Sequence, residues 1–216
     1  MKLKHLTTVC GALLMCLSLN ACAPLMMAGF AGTALVASDR RTSGAQLEDE
    51  TIELRGRARV RDALGDKAHV TITSFNRQVL LTGEVANDRD LKNVIQLVEK
   101  IENVRTVVNE MSIMPPSTLS ERSNDLLVTA KVKASLVDSR DLFANAFKVV
   151  TERGTVYLMG RVTAREANSA TNVIRNVNGV NKVVRLFEII TEEELRNLLP
   201  PPPPPEKPAE ATKPSK

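Results

Sequence analysis

Residues 147–190 read FKVVTERGTVYLMGRVTAREANSATNVIRNVNGVNKVVRLFEII, and this one stretch is enough to predict the fold of a domain. Two β-rich runs flank Arg153-Gly154, which suits a tight turn, so the first half predicts a β-hairpin. Apolar residues then recur every three or four positions from Ala167 to Val177, the period of an amphipathic helix. An alternating run that ends at Ile189 predicts a third strand. The stretch therefore indicates a β-β-α-β unit.

The same pattern occurs earlier in the chain. The hairpin residues Val70, Ile72, Val79 and Gly83 match Phe147, Val149, Val156 and Gly160 at an offset of 77, and the helix and third strand that follow match at an offset of 76. A helical pattern precedes each unit. We align these two helices at an offset of 72, so that Ala58, Val60 and Leu64 match Ala130, Val132 and Leu136. A five-residue insertion then falls at the end of the first helix of the second copy. The chain is thus an internal repeat.

Each copy therefore has the order α-β-β-α-β, and the predicted fold class is α+β. Both helices must cover one face of the three-stranded sheet to close a core. Units of about 65 residues are marginally stable alone, so we also expect the two copies to pack against each other.

Composition and prolines mark the boundaries of the predicted segments. The predicted segments are a signal peptide (1–21), an acylated Cys22 with a flexible tether (22–47), a first repeat (48–114), a linker (115–122), a second repeat (123–190), a short helix (191–199) and a proline-rich tail (200–216). The tether contains Arg40-Arg41, which we expect to be exposed.

The N-terminus has the features of a secretory signal, with lysines followed by an apolar run. Residues 19–22 read Leu-Asn-Ala-Cys, which resembles a bacterial lipobox, and this implies that Cys22 is acylated. The alternative is an ordinary cleaved signal with a stray cysteine. Cys10 and Cys16 lie inside the signal in either case. Because Ala23 rather than Asp follows the cysteine, analogy with lipoprotein sorting predicts the outer membrane, facing the periplasm.

Several motifs together resemble a known family. They are Gly83 and Gly160 at the hairpin strands, Val149-Val150-Thr151-Glu152, Leu158-Met159-Gly160-Arg161-Val162-Thr163, Ala164-Arg165-Glu166-Ala167 and Val177-Asn178-Gly179-Val180-Asn181-Lys182-Val183. This pattern is similar to that of the BON domain, and a lipobox before two such repeats resembles the dual-BON-domain lipoproteins of Gram-negative outer membranes. The resemblance implies a non-catalytic protein that contacts phospholipid through the first helix of the second domain.

The residue inventory argues against other function classes. The chain has 216 residues, a net charge of +4, 3% aromatics and no Trp, which disfavours a nucleic-acid or sugar platform. His69 is the one histidine outside the signal, and its counterpart in the second copy is Ala146, so a shared catalytic role is disfavoured. Neither a metal site nor a cofactor is expected, and we predict that the protein is not an enzyme.

The two first helices differ beside their predicted core stripes. We assign Leu54, Ala58 and Leu64 to the first core and Leu126, Ala130 and Leu136 to the second. The neighbouring stripe is polar in the first copy, with Arg55, Arg59, Asp62 and Gly65, but in the second it contains Leu127, Lys131, Ala134 and Val137, and the loop adds Leu142 and Phe143. Apolar side chains beside lysines suit a membrane interface.

Net charge supports this difference between the repeats. Residues 123–190 contain ten basic and six acidic residues, whereas residues 48–113 contain ten basic and twelve acidic residues. We therefore expect the second copy to meet anionic phospholipid. Together with the family resemblance, the predicted phospholipid-binding residues are Leu127, Lys131, Lys133, Val137, Leu142 and Phe143. The plain alternative is that these apolar residues pack against the first copy or the linker.

Two further functions stay open. The protein could be an interaction module that docks an outer-membrane assembly or cell-wall remodelling partner through the first repeat or the edge of a third strand. It could also be a periplasmic holdase. In the leading hypothesis it supports envelope integrity without catalysis.

Overall fold

A computed structural model describes residues 39–65 and 68–198. The predicted signal peptide, the acylated Cys22, most of the tether and the proline-rich tail lie outside the described residues. The elements, in chain order, are α1 (Ser43–Leu64), β1 (His69–Phe75), β2 (Gln78–Val85), α2 (Asp88–Glu99), β3 (Thr106–Ile113), α3 (Leu119–Asp138), a 3-10 turn (Ala144–Ala146), β4 (Phe147–Glu152), β5 (Thr155–Thr163), α4 (Ala164–Arg175), β6 (Lys182–Ile190) and α5 (Glu192–Leu198).

The predicted α-β-β-α-β order is confirmed in both copies. Each sheet has three strands in the order β1-β2-β3 or β4-β5-β6, with an antiparallel hairpin and a parallel third strand reached through a helical crossover. The two hairpins turn at Asn76-Arg77 and at Arg153-Gly154, whose φ angles are all between 49° and 71°. Positive φ at both central residues is the type I′ turn, which matches the twist of paired strands.

The glycines matched between the repeats have a steric reason. Gly83 and Gly160 pair with the opening residues of the preceding strand. A Cβ at Gly83 would collide with the carbonyl oxygen of His69, and one at Gly160 would collide with that of Ala146. The repeat therefore requires glycine where the hairpin strands approach most closely.

The predicted register of the two first helices is wrong. The buried residues of α1 are Asp49, Ile52, Gly56 and Val60, and those of α3 are Asp125, Val128, Val132 and Leu136. These sets match at an offset of 76. The second copy is then one residue longer between this helix and the hairpin, so the five-residue insertion is also wrong. Leu54 and Leu126, which we assigned to the cores, are exposed instead.

Buried aspartates fix this register. Asp49 accepts hydrogen bonds from the backbone N–H groups of Asn76 (2.7 Å) and Arg77 (2.8 Å). Asp125 likewise accepts from the N–H groups of Arg153 (2.8 Å) and Gly154 (2.9 Å). Each first helix thus satisfies both N–H groups of the hairpin turn in its own domain, and this contact orients the helix on the sheet.

The expectation that the two copies pack together is confirmed, because the sheets meet face to face. In β2, Val79 and Leu81 face the helices of the first domain, whereas Leu80 joins a third cluster with Phe75, Tyr157 and Met159 from both sheets. The helical cores of the two domains form separate clusters on the other sheet faces. The molecule is therefore layered α/β/β/α, with the helices outermost.

The prediction that Arg40-Arg41 is exposed is wrong. Arg40 is buried and donates two hydrogen bonds, of 2.7 and 2.8 Å, to the carboxylate of Glu166 in α4. Arg41 pairs with Asp49 at 2.7 Å, and its guanidinium lies 4.3 Å from the centre of the Phe75 ring. Adjacent arginines before α1 therefore bind different domains.

Among the described residues, none of the helices combines the length and the apolar character that crossing a membrane requires. The short α5 begins after Thr191, whose side chain accepts a hydrogen bond from the Glu194 N–H while Glu194 accepts one from the Thr191 N–H. These two reciprocal hydrogen bonds form a capping box, and the short helix predicted at 191–199 is present.

Candidate membrane-binding surface

Helix α3 carries four of the six predicted binding residues, and its start is well defined. Thr118 accepts a hydrogen bond from the Glu121 N–H at 3.2 Å, and Glu121 accepts one from the Thr118 N–H at 2.7 Å. From there the helix lays Val128, Val132 and Leu136 onto the second sheet. Most side chains at the intervening positions are exposed, although Thr129 donates a hydrogen bond to Thr151 of β4.

The outward side of α3 is unusually apolar. Leu126 is 71% exposed, Leu127 is 61% exposed and Val137 is 70% exposed, and Leu119 at the start of the helix is exposed as well. Ala130 and Ala134 lie between them and are exposed too. We name this set, Leu119, Leu126, Leu127, Ala130, Ala134 and Val137, the α3 outer face. A helix that is apolar on both sides is typical of one that is covered on both sides, by protein or by lipid.

The structure brings together most of the predicted phospholipid-binding residues. Leu127 and Val137 lie on the α3 outer face, and Lys131 and Lys133 are exposed on the same helix. Phe143, in the loop after α3, is 52% exposed. Leu142 is different: only 8% of it is exposed, and it packs in the core of the second domain. Its placement on the surface is therefore wrong, because the loop folds back to cover the end of the core.

Sequence reasoning missed Leu126 as a surface residue. Its neighbour Asp125 must point inward to reach the hairpin turn, and this turns Leu126 outward by one helical step. A signal was present in the sequence, because Asp49 and Asp125 occupy the same place in both repeats once the helices are aligned at an offset of 76.

Basic side chains border the α3 outer face. Lys131, Lys133 and Arg140 are exposed and make neither ion pairs nor side-chain hydrogen bonds with the part of the chain that the structure describes. The acidic side chains of Asp138 and Asp141 are exposed at the same end of the helix. The three cations are therefore available to anionic groups outside the protein.

The corresponding face of α1 has another character. Glu50, Thr51 and Arg61 stand where α3 has Leu126, Leu127 and Val137. Leu54 is 62% exposed there, but exposed arginines surround it. The wide apolar face therefore belongs to the second domain alone, although both domains share one fold.

His69 lies in a set of residues that looks superficially catalytic. Its Nδ1 atom is 3.2 Å from Glu84 Oε2 and 3.3 Å from Ser117 Oγ. A serine–histidine–carboxylate relay needs the two partners on opposite ring nitrogens, so that one orients the ring while the other exchanges a proton. Here both contacts converge on Nδ1, and this set does not form such a relay.

Comparisons with known proteins agree with this architecture. The model of the BON domain matches residues 49–115 and 124–191. The chain is 33% identical over 190 residues to a protein of Haemophilus influenzae named outer membrane lipoprotein DolP, covering 87% of this chain and 97% of that one. It is 30% identical over 154 residues to the 21 kDa hemolysin of Actinobacillus pleuropneumoniae, covering 70% of this chain and 79% of that one.

A solved structure of CdsD, a structural protein of the type III secretion system of Chlamydia trachomatis, also matches, with a TM-score of 0.28 and 17% identity over 71% of this chain and 96% of that one. This similarity is too low to inform the fold. The family match covers both domains and most of the described chain, and it coincides with the two α-β-β-α-β units. The chain therefore belongs to the BON-domain family and contains two BON domains in tandem.

Proposed function

We propose that this protein is a non-catalytic lipoprotein of the outer membrane that binds anionic phospholipid through its second BON domain and supports envelope integrity. The observation that carries the proposal is the α3 outer face, where large apolar side chains lie exposed beside lysines that pair with none of the described residues. The relative named outer membrane lipoprotein DolP supports the location. An acylated Cys22 would hold the chain at the periplasmic surface of that membrane.

The α3 outer face suits the boundary between headgroups and acyl chains. Leu126, Leu127 and Val137 would leave water for the acyl region, and each fully buried aliphatic side chain contributes about 1.5–3 kcal/mol. Lys131 and Lys133 would remain at the level of the headgroups, where each basic side chain near an anionic surface contributes about 1 kcal/mol. The helix would lie in the plane of the interface, since its inner face stays packed on the sheet.

With an acyl anchor, weak contacts between α3 and lipid are sufficient to keep the helix on the membrane. Once the acyl chains hold the protein at the surface, contact of α3 with lipid becomes intramolecular and benefits from a high effective concentration. The helix would then determine the orientation and distribution of the protein on the membrane, while the anchor provides retention.

Vesicle co-sedimentation tests the proposal. The chain without residues 1–22 should bind vesicles containing anionic phospholipid and bind neutral vesicles weakly. Replacing Leu126→Asp together with Leu127→Asp should abolish binding, because both charges would enter the acyl region. Leu54→Asp is the matched control, since Leu54 is exposed to a similar extent on α1. Binding that survives the double substitution, or equal binding to both kinds of vesicle, contradicts the proposal.

A second candidate function is docking of an outer-membrane assembly or cell-wall remodelling partner by the first domain. The observation that favours it is the pair of exposed leucines on α1, Leu47 and Leu54, beside several arginines. Crosslinking in the native envelope distinguishes the two functions. Crosslinks to protein concentrated within residues 48–113, with no effect of charge reversal at Lys131 and Lys133, would favour docking.

A further inference from the structure

Three side chains that can bind a metal meet where the two domains and their linker join. They are His69 at the start of β1, Glu84 near the end of β2 and Glu152 at the end of β4. One ligand atom from each lies within 4.8 Å of the others. The first two belong to the first domain and the third belongs to the second, so the cluster exists only because the sheets pack together.

Glu84 is held rigidly in this cluster. It is fully buried, and its Oε1 accepts a hydrogen bond of 2.7 Å from Arg153 while its Oε2 accepts one of 3.0 Å from the backbone N–H of Ser117. These two hydrogen bonds hold the carboxylate in position.

Glu152 is the member of the cluster whose carboxylate has no described partner. Its side chain is half-buried and makes no hydrogen bond or ion pair with residues 39–65 or 68–198. Its carboxylate lies within 4.8 Å of a ligand atom of Glu84. A carboxylate that is partly withdrawn from water beside another carboxylate is costly unless a cation or a proton compensates it.

The spacing suits a small divalent cation. His69 Nδ1 and Glu84 Oε2 are 3.2 Å apart. Ligands at about 2.0 Å from a tetrahedral zinc ion lie about 3.3 Å from one another, so zinc would take the place of the hydrogen that these two atoms share. The Glu152 carboxylate, whose ligand atom lies within 4.8 Å of both, would close onto the ion. His69 and Glu152 also line an open cavity of about 300 Å³, through which an ion could enter.

We propose that His69, Glu84 and Glu152 form a zinc site that joins the two BON domains. Nitrogen and carboxylate oxygen are both zinc ligands, and three protein ligands leave a further position for water. The repeat supports a role at the junction rather than in each domain, because the positions equivalent to His69 and Glu84 are Ala146 and Arg161. Bound zinc would stabilise the packing of one sheet on the other.

We propose to test the site on the chain without residues 1–22, after treatment with a chelator. Calorimetric titration measures zinc binding, and thermal unfolding measures its effect on stability. Zinc chloride at mildly alkaline pH should bind with one ion per chain and raise the Tm, since a ligand that binds only the folded state stabilises it. Magnesium chloride should do neither, because magnesium prefers octahedral oxygen ligation.

Glu152→Gln is the decisive variant, since Glu152 has no partner among the described residues whose loss would unfold the chain. It should weaken zinc affinity by about tenfold or more and remove the rise in Tm, and His69→Gln should do the same. Asp88→Asn, at an exposed acidic pair on α2, should leave both unchanged. Zinc binding that persists in Glu152→Gln, or that is lost in Asp88→Asn, overturns the proposal in favour of adventitious surface binding. The absence of any zinc-dependent change in the wild-type chain overturns the proposal as well.

Discussion

At the scale of single residues, two buried aspartates determine how the first helix of each domain is oriented on its sheet. Asp49 and Asp125 each sit on a first helix and each bind both N–H groups of a type I′ turn. The turn directs these groups toward the helix, where the carboxylate is buried. A carboxylate satisfies two donors at once and so fixes the rotation of the helix about its own axis.

Removing one of these carboxylates should destabilise the protein strongly. Asp125→Ala leaves the N–H groups of Arg153 and Gly154 buried without partners, and we expect the free energy of unfolding to fall by about 2–4 kcal/mol. Urea denaturation followed by circular dichroism measures the loss. Asp138→Ala, at an exposed position of the same helix, should change stability by less than about 0.5 kcal/mol. Equal effects of the two substitutions would show that the turn contacts contribute little.

At the scale of elements, α1 and α3 show how one scaffold acquires two surfaces. Both helices bury residues at the same four places, and both pack on the first strand of their own sheet. Their outward positions are free of that constraint. Polar residues fill most of them in α1, whereas aliphatic residues fill them in α3, which makes α3 the better candidate for a membrane contact.

The lysines of α3 should control the dependence of membrane binding on charge. Lys131→Gln with Lys133→Gln should weaken binding to anionic vesicles by about tenfold or more, because each cation contributes about 1 kcal/mol at such a surface. Binding should also become less sensitive to salt. Vesicle titrations at low and high ionic strength measure both effects. Arg55→Gln with Arg57→Gln is the control on α1, and a loss of the same size there would indicate attraction by overall charge alone.

At the scale of the whole molecule, the segment before α1 ties the two domains together. Arg40 bonds to Glu166 in the second domain and Arg41 bonds to Asp49 in the first. Ion pairs between Lys148 and Glu53 (2.6 Å) and between Arg153 and Glu84 (2.7 Å) also cross the interface. Force applied through the segment before α1 would therefore reach both domains at once.

The ion pair between Arg40 and Glu166 makes the free energy of unfolding depend on pH. Burial by itself would raise the pKa of the Glu166 carboxyl, but hydrogen bonds from Arg40 and from the Thr163 N–H lower it below the ordinary value of 4.5. The stabilisation from ionised Glu166 is therefore complete above that pH and is lost as the pH falls through the native value. Glu166→Gln should cost about 3–5 kcal/mol near neutrality, since Arg40 is left buried without its partner.

The difference between wild type and Glu166→Gln should narrow as the pH falls below 4.5. Urea midpoints measured over a pH series give this dependence. Glu192→Gln serves as the control, because its contact with Arg165 is 3.5 Å long and exposed. A difference between wild type and Glu166→Gln that stays constant with pH would contradict the assigned pKa direction.

The sequence by itself determined the repeat, the order of elements and the place of each hairpin. These features follow from local patterns such as the alternation in β2 and β5 and the glycines at 83 and 160, which need no information about distant contacts. The sequence also indicated that α3 differs from α1, although through a wrong alignment. The apolar residues of α3 lie on two faces, so their periodicity could not decide whether Leu126 is buried or exposed.

Tertiary structure alone decided the features that depend on distant partners. Asp125 sets the rotation of α3 by binding a turn 28 residues away, and Arg40 is buried because Glu166 lies within reach 126 residues later. His69 looked isolated in the sequence until sheet packing brought Glu152 beside it. A buried polar group is stable only when a partner satisfies it, and only the folded chain shows where that partner lies.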